Sequence, residues 1–130
     1  MINMDRLEEA MINLKNSEDA SKEECIVKPA SKLIGNILKI LQKKNYIGEY
    51  EYIDNGKAGI YRIELKGNIN NCRAIKPRYP VKKDEYLKWK KRYLPAENFG
   101  HLIVTTPKGI MTAEEAEKRE TGGRALAYIY

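Results

Sequence analysis

The chain has 130 residues, enough for one compact domain or two small ones, and 42% of them are apolar, which argues against general disorder. Its net charge of +6 is unevenly spread: residues 1–31 sum to −3, residues 32–92 to +10 and residues 93–130 to −1. No apolar run approaches the ~18 residues of a membrane span, so no membrane partner is expected, whereas a band this basic favours a polyanion such as nucleic acid.

In chain order, Leu7, Met11 and Leu14 fall at i, i+4 and i+7, which predicts an amphipathic helix over residues 5–14 with Asp5 as its cap or first-turn acid. After polar KNSEDASKEE, the segment ECIVK (24–28) reads as a short strand that Pro29 stops for want of an N–H. Ser31 suits the N-cap of a second helix over residues 32–44, with Leu33, Ile34, Ile37, Leu38 and Leu41 as one apolar stripe. Lys39, Lys43 and Lys44 lie towards its other side and its C-terminus, and Asn45 ends it. The stretch YEYIDNGKAGIYRIEL predicts a hairpin, because Asn-Gly supplies the two positive φ angles of a two-residue turn. That turn sets Asp54 opposite Lys57, Tyr50 opposite Tyr61 and Glu49 opposite Arg62. Tyr50, Tyr52, Tyr61 and Ile63 then share a face that is expected to pack on the second helix, in preference to serving as a base-stacking platform.

The polar joint KGNINN (66–71) predicts a boundary between domains 1–67 and 71–130. Beyond it, residues 72–79 form a strand candidate ended or edged by Pro80, and residues 83–93 a basic helix ended at Leu94-Pro95. Tyr86, Trp89 and Tyr93 fall on one face of that helix and anchor it, leaving the lysines to solvent. Residues 101–105 read as a strand, Thr112 as the N-cap of a helix with Glu115 completing a capping box, Gly122-Gly123 as its close, and RALAYIY as a last strand. Helices and strands alternate irregularly, so the expected class is α+β: an N-terminal α/β domain with a three-stranded sheet and two helices, and a C-terminal, mostly β domain with short helices.

For catalysis the chain offers little. It has one histidine, His101, which reads as structural at a strand edge, and none of the usual nucleophile, phosphate-loop or zinc-peptidase motifs. Glu114 and Glu115 are better explained as first-turn partners of a helix dipole than as a dyad. Cys25 and Cys72 are far apart and outside any CxxC pair, which predicts buried free thiols in a reducing, cytoplasmic setting. The acids near the N-terminus are unlike a signal peptide. No enzyme, cofactor or metal is therefore expected.

Three places suit an anionic partner. KPASK joins Lys28, Ser31 and Lys32 at a helix start, where unpaired N–H groups favour anions. Arg78, Lys82, Lys83 and Lys88 lie in the basic band and are possible phosphate contacts, which give affinity without sequence preference. The turn Thr105-Thr106-Pro107-Lys108-Gly109 holds two adjacent hydroxyls and a cation that a plain turn does not require; such hydroxyls suit the 2′-OH groups and base edges of an irregular RNA helix.

Taken together, KPASKLIGNILKIL, NYIGEYEYIDNGKAGIYRIEL, INNCRAIKPRYPVKKDEY, RYLPAENFG, TTPKGIMTAEEA and GGRALAYIY, in this order, resemble small-subunit ribosomal protein eight, in its archaeal and eukaryotic branch. The resemblance implies a primary rRNA-binding protein of the central domain of the small-subunit rRNA, recognising an irregular helix with an internal loop and touching other small-subunit proteins. It also implies two packed domains, contacts from Thr105, Thr106, Lys108 and Gly109, nearby Gly122 and Gly123, and an N-domain contact at Lys28, Ser31 and Lys32; Arg124, beside those glycines, is expected to neutralise a phosphate with Lys108. Some members bind their own messenger RNA, which makes a free-standing regulator the alternative role. Where many members carry a third hydroxyl this chain has Pro107, and Glu120 brings a negative charge that is expected to face away or to pair with Arg119 or Arg124.

Overall fold

The computed structural model describes residues 6–28, 30–96 and 99–130 and has the expected α+β class. Asp5 and Pro29, to which the sequence assigns a helix start and a strand stop, lie outside the described residues. The chain divides into two compact units, Met1–Cys72 and Arg73–Tyr130.

The first unit carries helices α1 (Arg6–Asp19) and α2 (Lys32–Lys43) and strands β1 (Glu24–Val27), β2 (Ile47–Ile53) and β3 (Ile60–Leu65), the strands forming an antiparallel sheet in the order β1-β3-β2. Helix α1 runs past the expected end at Leu14. The polar tail continues as helix because Lys15 pairs with Asp19 at 2.8 Å and Ser17 turns inward, and Ser21 closes the helix at φ 57°. In α2 the Ser31 hydroxyl accepts from the Ile34 N–H at 3.2 Å, and Asn45 takes φ 65° just beyond the last turn. Ile34, Ile37, Leu38 and Leu41 are buried with Leu7, Met11, Leu14, Cys25, Val27, Ile47 and Ile63. Each of these larger side chains contributes about 1.5–3 kcal/mol on removal from water.

The β2–β3 hairpin corrects the expected register. Tyr52 stands opposite Tyr61, Tyr50 opposite Ile63 and Glu51 opposite Arg62, so residues 54–59 form the connection in place of a two-residue turn. The reason lies in the loop: Asp54 Oδ1 accepts from the Gly56 N–H, and Asn55 Oδ1 accepts from the N–H groups of Lys57 and Gly59, which wraps the chain around the Asn55 side chain. Gly56 and Gly59, at φ 77° and 88°, permit that wrap. A slip of two residues preserves which side chains share a face. Tyr61 rests against Gly35 of α2 and donates to the Ser31 carbonyl at 3.3 Å, and Ile63 is fully buried. Tyr52, at 55% exposure, lies over Gly59 and not on α2. On the other face Arg62 pairs with Glu51 at 3.0 Å, not with Glu49.

The second unit carries a five-stranded sheet of β4 (Cys72–Ala74, whose first residue closes the first unit), β5 (Pro80–Val81), β6 (His101–Thr106), β7 (Gly109–Thr112) and β8 (Gly123–Ile129), with α3 (Tyr86–Tyr93) and α4 (Ala113–Lys118). The path is β4-β8-β6-β7, and β5 also pairs with β8, which makes β8 the hub. Of the strand expected over residues 72–79 only Cys72–Ala74 forms, and Pro80, expected to end or edge it, opens β5 instead. Pro77 has no N–H to offer, and a local turn, Tyr79 N–H to Pro77 O, intervenes before Tyr79 O takes the Ala125 N–H. Helix α3 starts at Tyr86, so Lys82 and Lys83 precede it in a turn where the Lys82 N–H donates to Glu85 Oε1. Trp89 stacks between Tyr79 and Tyr93 at centroid distances of 5.1 and 6.3 Å, and the Arg92 guanidinium lies over all three rings. Lys90 is not a solvent lysine: its side chain is 11% exposed and pairs with Glu117 at 2.9 Å. Helix α4 ends at Lys118 with the left-handed residue Glu120, at φ 52°, just beyond it, and not on Gly122-Gly123; Gly123 opens β8. Among the described residues no helix is long and apolar enough to cross a membrane, and no cluster of His, Cys, Asp or Glu could hold a metal ion.

Candidate nucleic-acid interface

The candidate turn is the β6–β7 connection. Thr106 pairs with Gly109, so Pro107 and Lys108 alone form the loop. Pro107 fits there because a loop tip asks nothing of its nitrogen, and Gly109 takes φ 119°, a backbone state glycine enters freely. The Thr106 hydroxyl donates to Gly109 O at 2.8 Å and accepts from the Lys108 N–H at 3.1 Å, clamping the hairpin mouth. Thr105, one residue earlier, has no hydrogen-bond partner for its hydroxyl among the described residues and is half-buried. Strand β6 places it between Ile110 and Arg124 in the ladder.

Glycines 122 and 123 have a packing reason. A Cβ on Gly123 would strike the Thr105 carbonyl oxygen, and one on Gly122 would come within 2.7 Å of the Val81 carbonyl oxygen. Only bare backbone lets β8 pass this closely between β5 and β6, and the same bareness keeps the surface beside the threonines low.

Two cations are aimed by backbone carbonyls. Lys108 Nζ donates to Arg119 O at the end of α4, at 3.2 Å, and Arg124 Nη1 donates to Arg78 O at 3.1 Å. Each keeps further N–H donors for an anion. Arg124 also faces Pro80 across the β5–β8 ladder, and Gly122 abuts Lys82 and Lys83. The second unit therefore gathers Thr105, Thr106, Lys108, Gly109, Gly122, Gly123, Arg124, Arg78, Lys82 and Lys83 around one end of β6 and β8. Lys88 stands apart from these contacts on α3, with its Nζ 5.8 Å from the Trp89 ring centroid. Lys28, Ser31 and Lys32 belong to the first unit. There Lys28 and Lys32 are exposed, Ser31 is engaged as a cap, and the Ala30 N–H donates to Gly59 O at 2.8 Å.

Glu120 pairs with neither Arg119 nor Arg124; among the described residues its carboxylate has no ion-pair partner, and its backbone serves as the left-handed end of α4. The Arg119 carbonyl that aims Lys108 carries no signal in the sequence, since any residue supplies a carbonyl.

Behind the turn, α4 is fixed to β6 and α3. Thr112 caps it by accepting from the Glu115 N–H at 3.4 Å, as expected. His101 Nδ1 lies 2.7 Å from Glu114 Oε1, and Lys90 bridges to Glu117. Burial pushes the Glu114 carboxyl up, but the His101 hydrogen bond and charge, with Lys90 beside it, pull harder and hold it below the usual 4.5. His101 is thus structural, at the first position of β6, an interior strand of its sheet.

A model of the family described as Ribosomal protein S8 matches residues 5–130. The chain belongs to the ribosomal protein S8 family. It is also 48% identical over 130 residues to the small ribosomal subunit protein uS8 of Methanococcoides burtonii, with 100% of both chains covered. The resemblance carried by KPASKLIGNILKIL, RYLPAENFG and TTPKGIMTAEEA is therefore one of descent, and the S8 family assignment spans both units.

Proposed function

We propose that this S8-family chain is a constituent of the small ribosomal subunit and a primary binder of the central domain of its rRNA, acting in the cytoplasm beside other small-subunit proteins. The second unit is the RNA-gripping domain, and its β6–β7 turn meets an irregular helix at an internal loop. The observation that carries this reading is the gathering of Thr105 and Thr106 beside bare glycine backbone, with Lys108 and Arg124 aimed by carbonyls on either side.

Each part has a chemical task. The cations, with Arg78, Lys82, Lys83 and Lys88, neutralise phosphates and set register without reading sequence. The threonine hydroxyls meet 2′-OH groups and base edges where the helix is distorted enough to expose them. Lys28, Ser31 and Lys32 form a second contact from the first unit.

The test is footprinting of the purified protein on naked small-subunit rRNA across a salt series. One compact protected site at an irregular central-domain helix, surviving moderate salt, is the expected result. Diffuse protection that disappears as salt rises would reduce the protein to a general basic binder.

A further inference from the structure

Resting on the RNA-binding reading above, we infer that the two adjacent threonines differ in hydrogen-bond polarity: Thr106 accepts only, so the RNA group against it is a donor, a ribose 2′-OH or a base amino group, whereas Thr105 can both donate and accept.

A threonine hydroxyl has one hydrogen and two lone pairs. The partners of Thr106 leave no ambiguity about how these are spent. Gly109 O has no hydrogen, so across 2.8 Å the hydroxyl must be the donor. The Lys108 amide has no lone pair to offer, so across 3.1 Å the hydroxyl must accept. One lone pair remains, and both hydrogen bonds of the hydroxyl lie in an exposed setting, so that lone pair is open to a partner. To donate to an RNA acceptor, Thr106 would have to release Gly109 O and open the mouth of its own hairpin. Thr105 carries no such commitment among the described residues.

This polarity discriminates. A guanine N7 or O6, an adenine N7 or a phosphate oxygen offers only lone pairs and is repelled by the remaining lone pair of Thr106. A 2′-OH, present on every ribonucleotide and absent from DNA, is accepted, as are the amino groups of adenine, guanine and cytosine. Pro107 strengthens the arrangement, because its missing N–H leaves the Lys108 N–H as the donor within the loop that reaches Thr106.

Analogue interference on the cognate small-subunit rRNA tests this, comparing the wild type with Thr106→Val and Thr106→Ser. Donor-deleted nucleotides (2′-deoxy, 2′-fluoro, inosine for guanosine, purine riboside for adenosine) are expected to weaken wild-type binding roughly three- to tenfold at the contacted position. In Thr106→Val that particular interference vanishes, while Thr106→Ser keeps it. Acceptor-deleted 7-deazapurines keep their wild-type effect in both. Loss of a 7-deazapurine effect in Thr106→Val, or an interference pattern that Thr106→Val leaves untouched, would overturn the assignment while leaving RNA binding intact. A wild type that binds yet shows no interference from any donor-deleted nucleotide would overturn this inference alone, whereas a wild type that fails to bind the cognate rRNA would remove the RNA-binding reading and this inference with it. Because Thr106→Val also loosens the turn, a second measurement uses the free wild type. In its proton NMR spectrum the Thr106 hydroxyl hydrogen should exchange slowly and be observable near Gly109, and exchange as fast as that of an exposed threonine would refute the commitment on which the inference stands.

Discussion

The Lys108 ammonium reaches the carbonyl oxygen of Arg119, 3.2 Å away, tying the tip of the β6–β7 hairpin to the end of α4. The cation thus sits where the carbonyls of a helix end attract it, which fixes its position before any phosphate arrives. Lys108→Met is expected to weaken cognate and arbitrary RNA alike and to lower the salt slope of binding by about one. Filter binding over a salt series measures this, and an unchanged slope would mean that Lys108 serves only the hairpin.

Gly123→Ala asks whether the crossing of β8 beside β6 tolerates a side chain. Its Cβ would meet the Thr105 carbonyl oxygen, and Thr106 Cγ2 at 3.0 Å. Since one obstacle is ladder backbone, the strand must shift, at a cost of about 1–3 kcal/mol. Chemical denaturation should show a lower midpoint, and RNA affinity should fall with it because the same shift displaces both threonines. A variant with the wild-type midpoint would show that the crossing has slack.

Glu114 predicts an acid limb of stability. Burial opposes its charge, but His101 and Lys90 favour it more, so its folded pKa lies below the unfolded value near 4.5. Its contribution is therefore complete above about pH 4.5 and declines as pH falls through the lower folded value. Glu114→Gln should flatten that part of the stability profile, followed by thermal unfolding between pH 6 and pH 3. If wild type and variant trace parallel curves, the His101–Glu114 contact contributes nothing to acid resistance.

Cys72 is buried, and burial pushes its thiol up to about 12. With so little thiolate near neutrality, it should react with a disulfide reagent only as fast as the surrounding structure opens. Because the folded value lies above the ordinary 9.0, the stability linked to this group is present below pH 9 and is lost as pH rises towards 12. Rapid labelling of Cys72 at pH 7.5 without denaturant would contradict this burial.

Much of the scaffold was legible along the chain because its signals are local. Ser31, the stripe of Ile34, Ile37, Leu38 and Leu41, and Asn45 define α2 with no reference to the rest of the molecule. Thr112 likewise announces α4, and Pro107 to Gly109 announce a turn. Where local signals misled, a neighbour within the segment competed. Asn55-Gly56 suggests a two-residue hairpin, yet the Asn55 side-chain Oδ1 accepts from the Gly59 N–H as well and widens the loop. The polar KNSED stretch suggests a loop, yet its i, i+4 ion pair and inward Ser17 extend α1.

By itself the sequence determined the α+β class, the three-stranded first sheet, the family and the run of residues in which two hydroxyls and a lysine meet a turn. Tertiary structure alone decided how those groups are used, because each answer depends on where a backbone carbonyl stands, across the hairpin mouth for Thr106 and in another segment for the rest. The Gly109 carbonyl commits the Thr106 hydrogen, the Arg119 carbonyl aims Lys108, the Arg78 carbonyl aims Arg124, and the Thr105 carbonyl forbids a side chain at Gly123. Every residue type presents the same carbonyl, so a side-chain alphabet does not record where carbonyls converge; only the folded path of the chain brings them to the site.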